Sequence, residues 1–124
     1  MAEQQTILLV DDEHEFCELL RMRLESDGYC VQTAENGEDG LAQAVDDPPH
    51  LILLDVMMPG IDGIETLQRL KADERTKHVP VIMLTAKGDA KSVFAAKKHG
   101  GKAYLVKPCL PGDLLDQVRR NILR

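Results

Sequence analysis

Four short apolar runs in this sequence are each followed at once by a residue that can do chemistry. Ile7-Leu8-Leu9-Val10 precedes Asp11-Asp12-Glu13, Leu51-Ile52-Leu53-Leu54 precedes Asp55, Val81-Ile82-Met83-Leu84 precedes Thr85, and Ala103-Tyr104-Leu105-Val106 precedes Lys107-Pro108. Carboxylates gathered in one place repel, and the repulsion is relieved by a raised pKa or by a hard cation bound through oxygen. Asp11, Asp12 and Asp55 suit Mg²⁺, which under few protein ligands keeps open positions for phosphate oxygens, so the chemistry expected is phosphoryl transfer. Asp55 is then the nucleophile, Lys107 neutralises phosphoryl charge, and Thr85 donates a hydrogen bond to another phosphoryl oxygen.

Each of these residues alone has a plain structural explanation. An acid after a strand caps a helix, a threonine finishes a turn, and Lys-Pro marks a loop. The weight lies in finding all of them at the same end of four separate apolar runs. In an open parallel sheet, ligands bind outside the carboxyl ends of the strands, so these residues are expected to converge on one edge.

The elements that must position them are legible from pattern. The three strongest runs are too short for helices and do not alternate, as expected of strands buried on both faces of a parallel sheet. Tyr29 to Ala34 and Ala103 to Val106 are weaker strands, making five. Between them lie helical periods: Phe16, Leu19, Leu20 and Leu24, ended by Gly28; Leu41, Ala44 and Val45; Ile64, Leu67 and Leu70; Val93 and Ala96, stopped by Gly100-Gly101; and Leu114, Leu115, Val118 and Ile122. Strict alternation of strand and helix implies right-handed crossovers and a three-layer α/β sandwich, a parallel sheet covered on both faces.

The 124 residues match one domain with its own core, and the hydrophobic share of 44% and charged share of 29% are those of a globular chain. One domain over residues 1–124 is expected, with no output domain beyond the fifth helix. Cys17, Cys30 and Cys109 are odd in number, lack CxxC spacing and stand in or beside apolar patterns, so they read as structural thiols. Residues 1–6 form no targeting segment and no run approaches a membrane span, so a cytoplasmic location is expected.

The net charge of -6 hides a division, because residues 1–65 carry sixteen acids and two bases while residues 66–124 carry five acids and thirteen bases. Lys87, Lys91, Lys97, Lys98, Lys102 and Lys107, with Asp89 the one acid among them, are expected to make one late face positive. Without interleaved aromatics or a reading motif, direct nucleic-acid binding is not expected. His14, His50, His78 and His99 are scattered and form no ligand pair.

In order and spacing, Leu-Val-Asp-Asp-Glu (9–13), Leu-Leu-Asp-Val-Met-Met-Pro-Gly-Ile-Asp-Gly (53–63), Met-Leu-Thr-Ala-Lys (83–87) and Tyr-Leu-Val-Lys-Pro (104–108) resemble the receiver domains of two-component response regulators, across nearly the whole chain. The resemblance implies a flavodoxin-like strand order of 2-1-3-4-5. It implies that Asp55 accepts a phosphoryl group from a histidine kinase or histidine phosphotransfer protein. Mg²⁺ would be bound by Asp12, Asp55 and the backbone carbonyl of Met57, with Asp11 acting partly through water. Such a domain is a signalling switch rather than an enzyme, although self-phosphorylation from small donors and slow autodephosphorylation go with it.

The resemblance further implies that Thr85 turns toward the phosphoryl group and Tyr104 rotates inward. That motion alters the surface of the fourth helix, fifth strand and fifth helix, where a downstream protein partner or a detached output domain would bind. One covalent change thus biases a two-state element. A cis Lys107-Pro108 peptide is expected, and Met57 and Lys87 occupy positions that tune dephosphorylation. Ala103, Gly101 and Cys109 depart from the residues usual in the family, which bears on the packing beneath Tyr104.

Two other readings use similar residues. A Mg²⁺-dependent phosphohydrolase with an aspartate nucleophile carries a second aspartate two residues on as general acid, but here that position is Met57. A pseudo-receiver, an interaction module without phosphorylation, lacks an acid or the lysine, and here none is missing.

Overall fold

The computed structural model describes residues 4–86, 88–109 and 111–124. Five strands, β1 (Thr6–Val10), β2 (Cys30–Ala34), β3 (Leu51–Asp55), β4 (Val81–Ala86) and β5 (Ala103–Lys107), alternate with five helices, α1 (His14–Ser26), α2 (Gly37–Asp46), α3 (Gly63–Ala72), α4 (Ala90–Lys98) and α5 (Pro111–Asn121). All strand pairs are parallel, in the order β2-β1-β3-β4-β5. This is the flavodoxin-like three-layer arrangement expected.

Burial explains why some strands were plainer in the sequence than others. Every residue of the central β3 is buried, whereas the edge strands β2 and β5 are covered on fewer sides and are mostly half-buried. An edge strand tolerates polar residues, so its apolar signal is diluted.

Successive side chains point to opposite faces of a strand, and this alternation sorts the apolar runs into two cores. Ile7, Leu9, Leu51, Leu53, Ile82 and Leu84 pack with α1 and α5. Leu8, Val10, Ile52, Leu54, Val81 and Met83 pack with α2, α3 and α4. The helical faces follow the expected periods with one correction. In α1 the buried residues are Cys17, Leu20 and Leu24, while Leu19 is 68% exposed. Cysteine takes the place that the leucine period assigned to Leu19, because a buried thiol packs as a small apolar group.

Close backbone approach fixes the connection that leads from β3 into α3. A Cβ on Gly63 would lie 2.2 Å from the carbonyl oxygen of Asp55 and 2.7 Å from Cα of Val56, closer than any side chain permits. In that space the Gly63 N–H donates to Val56 O at 2.8 Å, and the Asp62 side chain caps α3 by accepting from the Glu65 N–H. Gly63→Ala is therefore expected to destabilise the domain by roughly 2–3 kcal/mol, as overpacking against main chain does. Gly112→Ala, in α5 where a Cβ meets nothing within 4 Å, is expected to be neutral or to gain about 0.5 kcal/mol. Urea denaturation of the two variants side by side checks the contrast.

Candidate functional site

Parallel register brings the carboxyl ends of the three central strands level. Val10 pairs with Leu54 and Asp55 with Leu84, so Asp11, one residue past β1, arrives beside Asp55 at the end of β3. Ala86 pairs with Lys107 one strand further on. Alternation then directs Asp11, Asp55 and Lys107 to the α1/α5 side of the sheet, continuing the rows Ile7-Leu9, Leu51-Leu53 and Ala103-Leu105.

Asp11 and Asp55 are both buried, at 2% and 5% exposure, and Asp12 is exposed beside them. One carboxylate oxygen from each of the three lies within 4.8 Å of the others. Such a set of hard anionic oxygens fits Mg²⁺ in donor type and charge. The Lys107 Nζ donates to Asp11 Oδ2 at 2.8 Å and to Glu13 Oε1, and sits 3.5 Å from Asp55 Oδ2. The peptide between Lys107 and Pro108 is cis, as expected.

The charges do not balance, and the titration of the groups reflects it. Burial, then the neighbouring Asp11 carboxylate, push the Asp55 carboxyl up to about 7, against the opposing pull of Lys107 and of the Met57 N–H, which donates to Asp55 Oδ1 at 3.3 Å. Burial works against the Lys107 ammonium too, but hydrogen bonds to Asp11 and Glu13 and the charge of Asp55 overcome it and hold its pKa above the ordinary lysine value. Lys107 thus stays charged where negative charge would arrive.

A small cavity of about 150 Å³ opens on this arrangement, lined by Glu13, Asp55, Met57, Ala86 and Lys107. Met57 is 69% exposed at its mouth. Thr85 is placed differently. It is buried at the end of β4 on the other face of the sheet, its hydroxyl donates to the Leu105 carbonyl at 3.5 Å, and it lines a second cavity of about 450 Å³ beside α4 with Phe94 and Val106. Tyr104 is half-buried on the same face, its hydroxyl donating to Gly101 O at 3.0 Å. The structure therefore gathers Asp11, Asp12, Asp55 and Lys107 and sets Thr85 and Tyr104 apart from them.

Two partners of Lys107 were missed by sequence reasoning. Glu13 ends the acidic triplet and accepts from Nζ, and the Phe16 ring lies 4.4 Å from Nζ, a cation–π contact. Glu13 is the N-cap residue of α1 and Phe16 lies three residues on in its first turn, a spacing that is the signal that could have found them. Lys107, expected both at the site and on the late basic face, belongs to the site alone: its side chain is 14% exposed and turned into the acids. Lys91, Lys97, Lys98 and Lys102 are exposed on and after α4, and Lys87 lies outside the described residues.

The departures from the resemblance separate along the same two faces. Cys109 packs with Phe16 on the α1/α5 side, away from Tyr104, whereas a Cβ on Gly101 would come within 3.3 Å of the Tyr104 ring. Cys17 is buried with its Sγ 3.5 Å from Asp11 O, and burial pushes its thiol up to about 12, which keeps it protonated and inert. No helix among the described residues is long and apolar enough to cross a membrane.

Comparison with known proteins gives a consistent picture. A family model described as the response regulator receiver domain matches residues 7–119. The phosphate regulon transcriptional regulatory protein PhoB of Pseudomonas aeruginosa is 42% identical over 97% of this chain and 52% of its own length. The transcriptional regulatory protein ResD of Bacillus subtilis is 41% identical over 95% of this chain and 48% of its own. The chain thus spans about half the length of the curated relatives it matches. Among solved structures, chemotaxis protein CheY4 of Vibrio cholerae superposes with a TM-score of 0.91 at 30% identity, covering 97% of this chain and all of that one. A CheY-like receiver domain protein of Methanospirillum hungatei gives 0.89 at 28% identity, covering 95% and 93%.

The raised Asp55 pKa has a measurable consequence for stability. Because the folded state keeps a proton on Asp55 up to about pH 7 and the unfolded chain releases it near 4, the folded state binds more protons in that window and stability falls as pH rises through it. Asp55→Asn is therefore expected to be more stable than the parent protein at pH 8 in EDTA, by roughly 1–3 kcal/mol. The gap should shrink steadily between pH 7 and 4. Urea midpoints of both proteins measured across that range check it, and a gap independent of pH would contradict the assignment.

Proposed function

The chain belongs to the response-regulator receiver domain family, and from that premise we propose that it is a phosphorylation-controlled signalling switch with Asp55 as phosphoacceptor. The observation that carries the reading is the buried Asp11–Asp55 pair at one sheet edge with the Lys107 ammonium 2.8 Å from one carboxylate and 3.5 Å from the other.

Asp12, Asp55 and the Met57 carbonyl, with Asp11 acting through water, would hold Mg²⁺, which supplies charge neutralisation for the transferring phosphoryl group. The chain's own residues do the rest. An Asp55 carboxylate oxygen attacks the phosphorus of a phosphohistidine on a histidine kinase or phosphotransfer protein. The new O–P bond forms as the P–N bond breaks, and the departing imidazole takes up a proton to become a neutral side chain. Lys107, already charged and already at Asp55, meets the added phosphoryl charge without reorganisation. Small phosphoryl donors use the same nucleophile, and slow autodephosphorylation returns the carboxylate.

Thr85 and Tyr104 transmit the change. Turning the Thr85 hydroxyl toward the phosphoryl group gives up its 3.5 Å bond to the Leu105 carbonyl and vacates space beside α4, into which the Tyr104 ring can move. The readout is then the α4-β5-α5 surface, where Phe94 is 72% exposed and Val106 47% exposed among the α4 lysines. A downstream protein or output domain binds there. The relatives named above as transcriptional regulators carry about as much chain again, and we assign no direct nucleic-acid contact to the receiver itself. A cytoplasmic location fits a kinase-fed switch.

Incubation with Mg²⁺ and acetyl phosphate, followed by intact mass measurement, tests the reading. One added phosphoryl group is expected, and none with EDTA or with Asp55→Asn. Absence of labelling under conditions that label another receiver would favour a pseudo-receiver, and steady phosphate release without a trapped adduct would favour a phosphohydrolase.

A further inference from the structure

The segment 56–62, between β3 and α3, carries Met57 beside the phosphoacceptor, and it is secured mainly at its ends. Val56 N–H donates to Leu84 O at 3.0 Å, the Gly63 N–H donates back to Val56 O at 2.8 Å, and Asp62 caps α3. Between those ends, the described residues make two hydrogen bonds to other elements: the Met57 N–H donates to Asp55 Oδ1 at 3.3 Å, and the Ile61 N–H donates to Glu38 Oε1, on the first turn of α2, at 3.0 Å.

The Glu38 carboxylate is pressed onto this main chain. Gly60 has φ of +78°, and a Cβ there would lie 3.0 Å from Glu38 Oε1 and 3.1 Å from Oε2. The platform beneath Glu38 is rigid. Asn36 caps α2 by accepting from the Asp39 N–H at 2.8 Å, and Gly37 and Gly40 sit so close to Ile61, Thr66 and Val10 that a Cβ at either would fall within 3.0 Å of a neighbouring side chain. An acid in the first turn also suits the helix dipole.

We propose that Glu38 is a positioning residue for the phosphoacceptor site: from α2 its carboxylate holds the segment 56–62 in the one conformation that keeps Met57 against Asp55. The inference rests on the Mg²⁺ site of the proposed function, because Met57 is the one expected metal ligand that comes from loop backbone rather than from a strand end. A hydrogen bond to a charged acceptor is stronger than a neutral one, and its loss lets the loop populate conformations that do not present Met57. Metal affinity then falls by the fraction of time the competent loop is lost.

The structural alternative, a surface hydrogen bond that only adds stability, predicts a lower denaturation midpoint and an unchanged metal affinity. Glu38→Ala, Glu38→Gln and the parent protein separate the two. Alanine favours helix and Glu38 is exposed, so the variant keeps the fold. In EDTA, the Ile61 amide of Glu38→Ala is expected to exchange with solvent about tenfold faster by NMR. In calorimetric titration with MgCl₂ its Kd is expected to rise about fivefold, the factor that corresponds to one hydrogen bond's usual net worth. Glu38→Gln, which retains an acceptor oxygen, is expected to stay within about twofold of the parent in both. Unchanged Mg²⁺ affinity in Glu38→Ala overturns the proposal, as does unchanged Ile61 exchange. A parent protein that binds no Mg²⁺ would instead sink the metal-site reading, while the exchange measurement would still report on the brace.

Discussion

The site depends on one enforced proximity: two buried carboxylates, Asp11 and Asp55, held side by side by the register of adjacent parallel strands. Neither can move away, because Ile7 to Val10 and Leu51 to Leu54 are locked between two cores. Their mutual repulsion is a cost of folding that the rest of the edge is arranged to offset. Lys107 offsets part of it from β5, itself held by Glu13 at the N-cap of α1 and Phe16 in its first turn. Burial, and after it the part of the repulsion that stays uncompensated, raise the pKa of Asp55. Reactivity and strain share a source here, as is common where a fold tunes a titratable group.

Much of this was legible in the sequence for a physical reason. Strands buried on both faces must be apolar throughout, so β1, β3 and β4 stand out as uninterrupted runs, and a reactive residue just after such a run has to lie at the sheet edge. The acids, the lysine and the strand order follow from that logic together with the family resemblance. What was not legible is tertiary. Lys107, although placed at the sheet edge, was also counted with the α4 lysines near it in sequence, and its bond to Glu13, 94 positions away, was not foreseen. Leu19 fits the period of α1 but Cys17 takes the buried place, since periodicity cannot tell which edge of an apolar stripe meets the sheet. Glu38 gave no sign, because an acid early in a helix needs no partner to be explained.

Side-chain alternation imposes a further constraint on how such a switch can work. Asp55 and Lys107 point to the α1/α5 face, while Thr85 and Tyr104 belong to the α3/α4 face. A phosphoryl group on Asp55 would therefore sit on one side of the sheet, and the residues proposed to report it sit on the other. No side chain in the buried strands spans both faces, so the message has to pass around the carboxyl edge or through strand backbone. Thr85 stands where both routes meet: it is the last buried residue of β4, next to the edge, and its hydroxyl engages the carbonyl of Leu105, a residue of β5 whose side chain packs on the Asp55 side. A change in what that hydroxyl bonds to alters β5 directly, and β5 as an edge strand is the least buried and the most free to respond. The unequal burial that made β5 hard to read in the sequence is thus the property that suits it to carry the output.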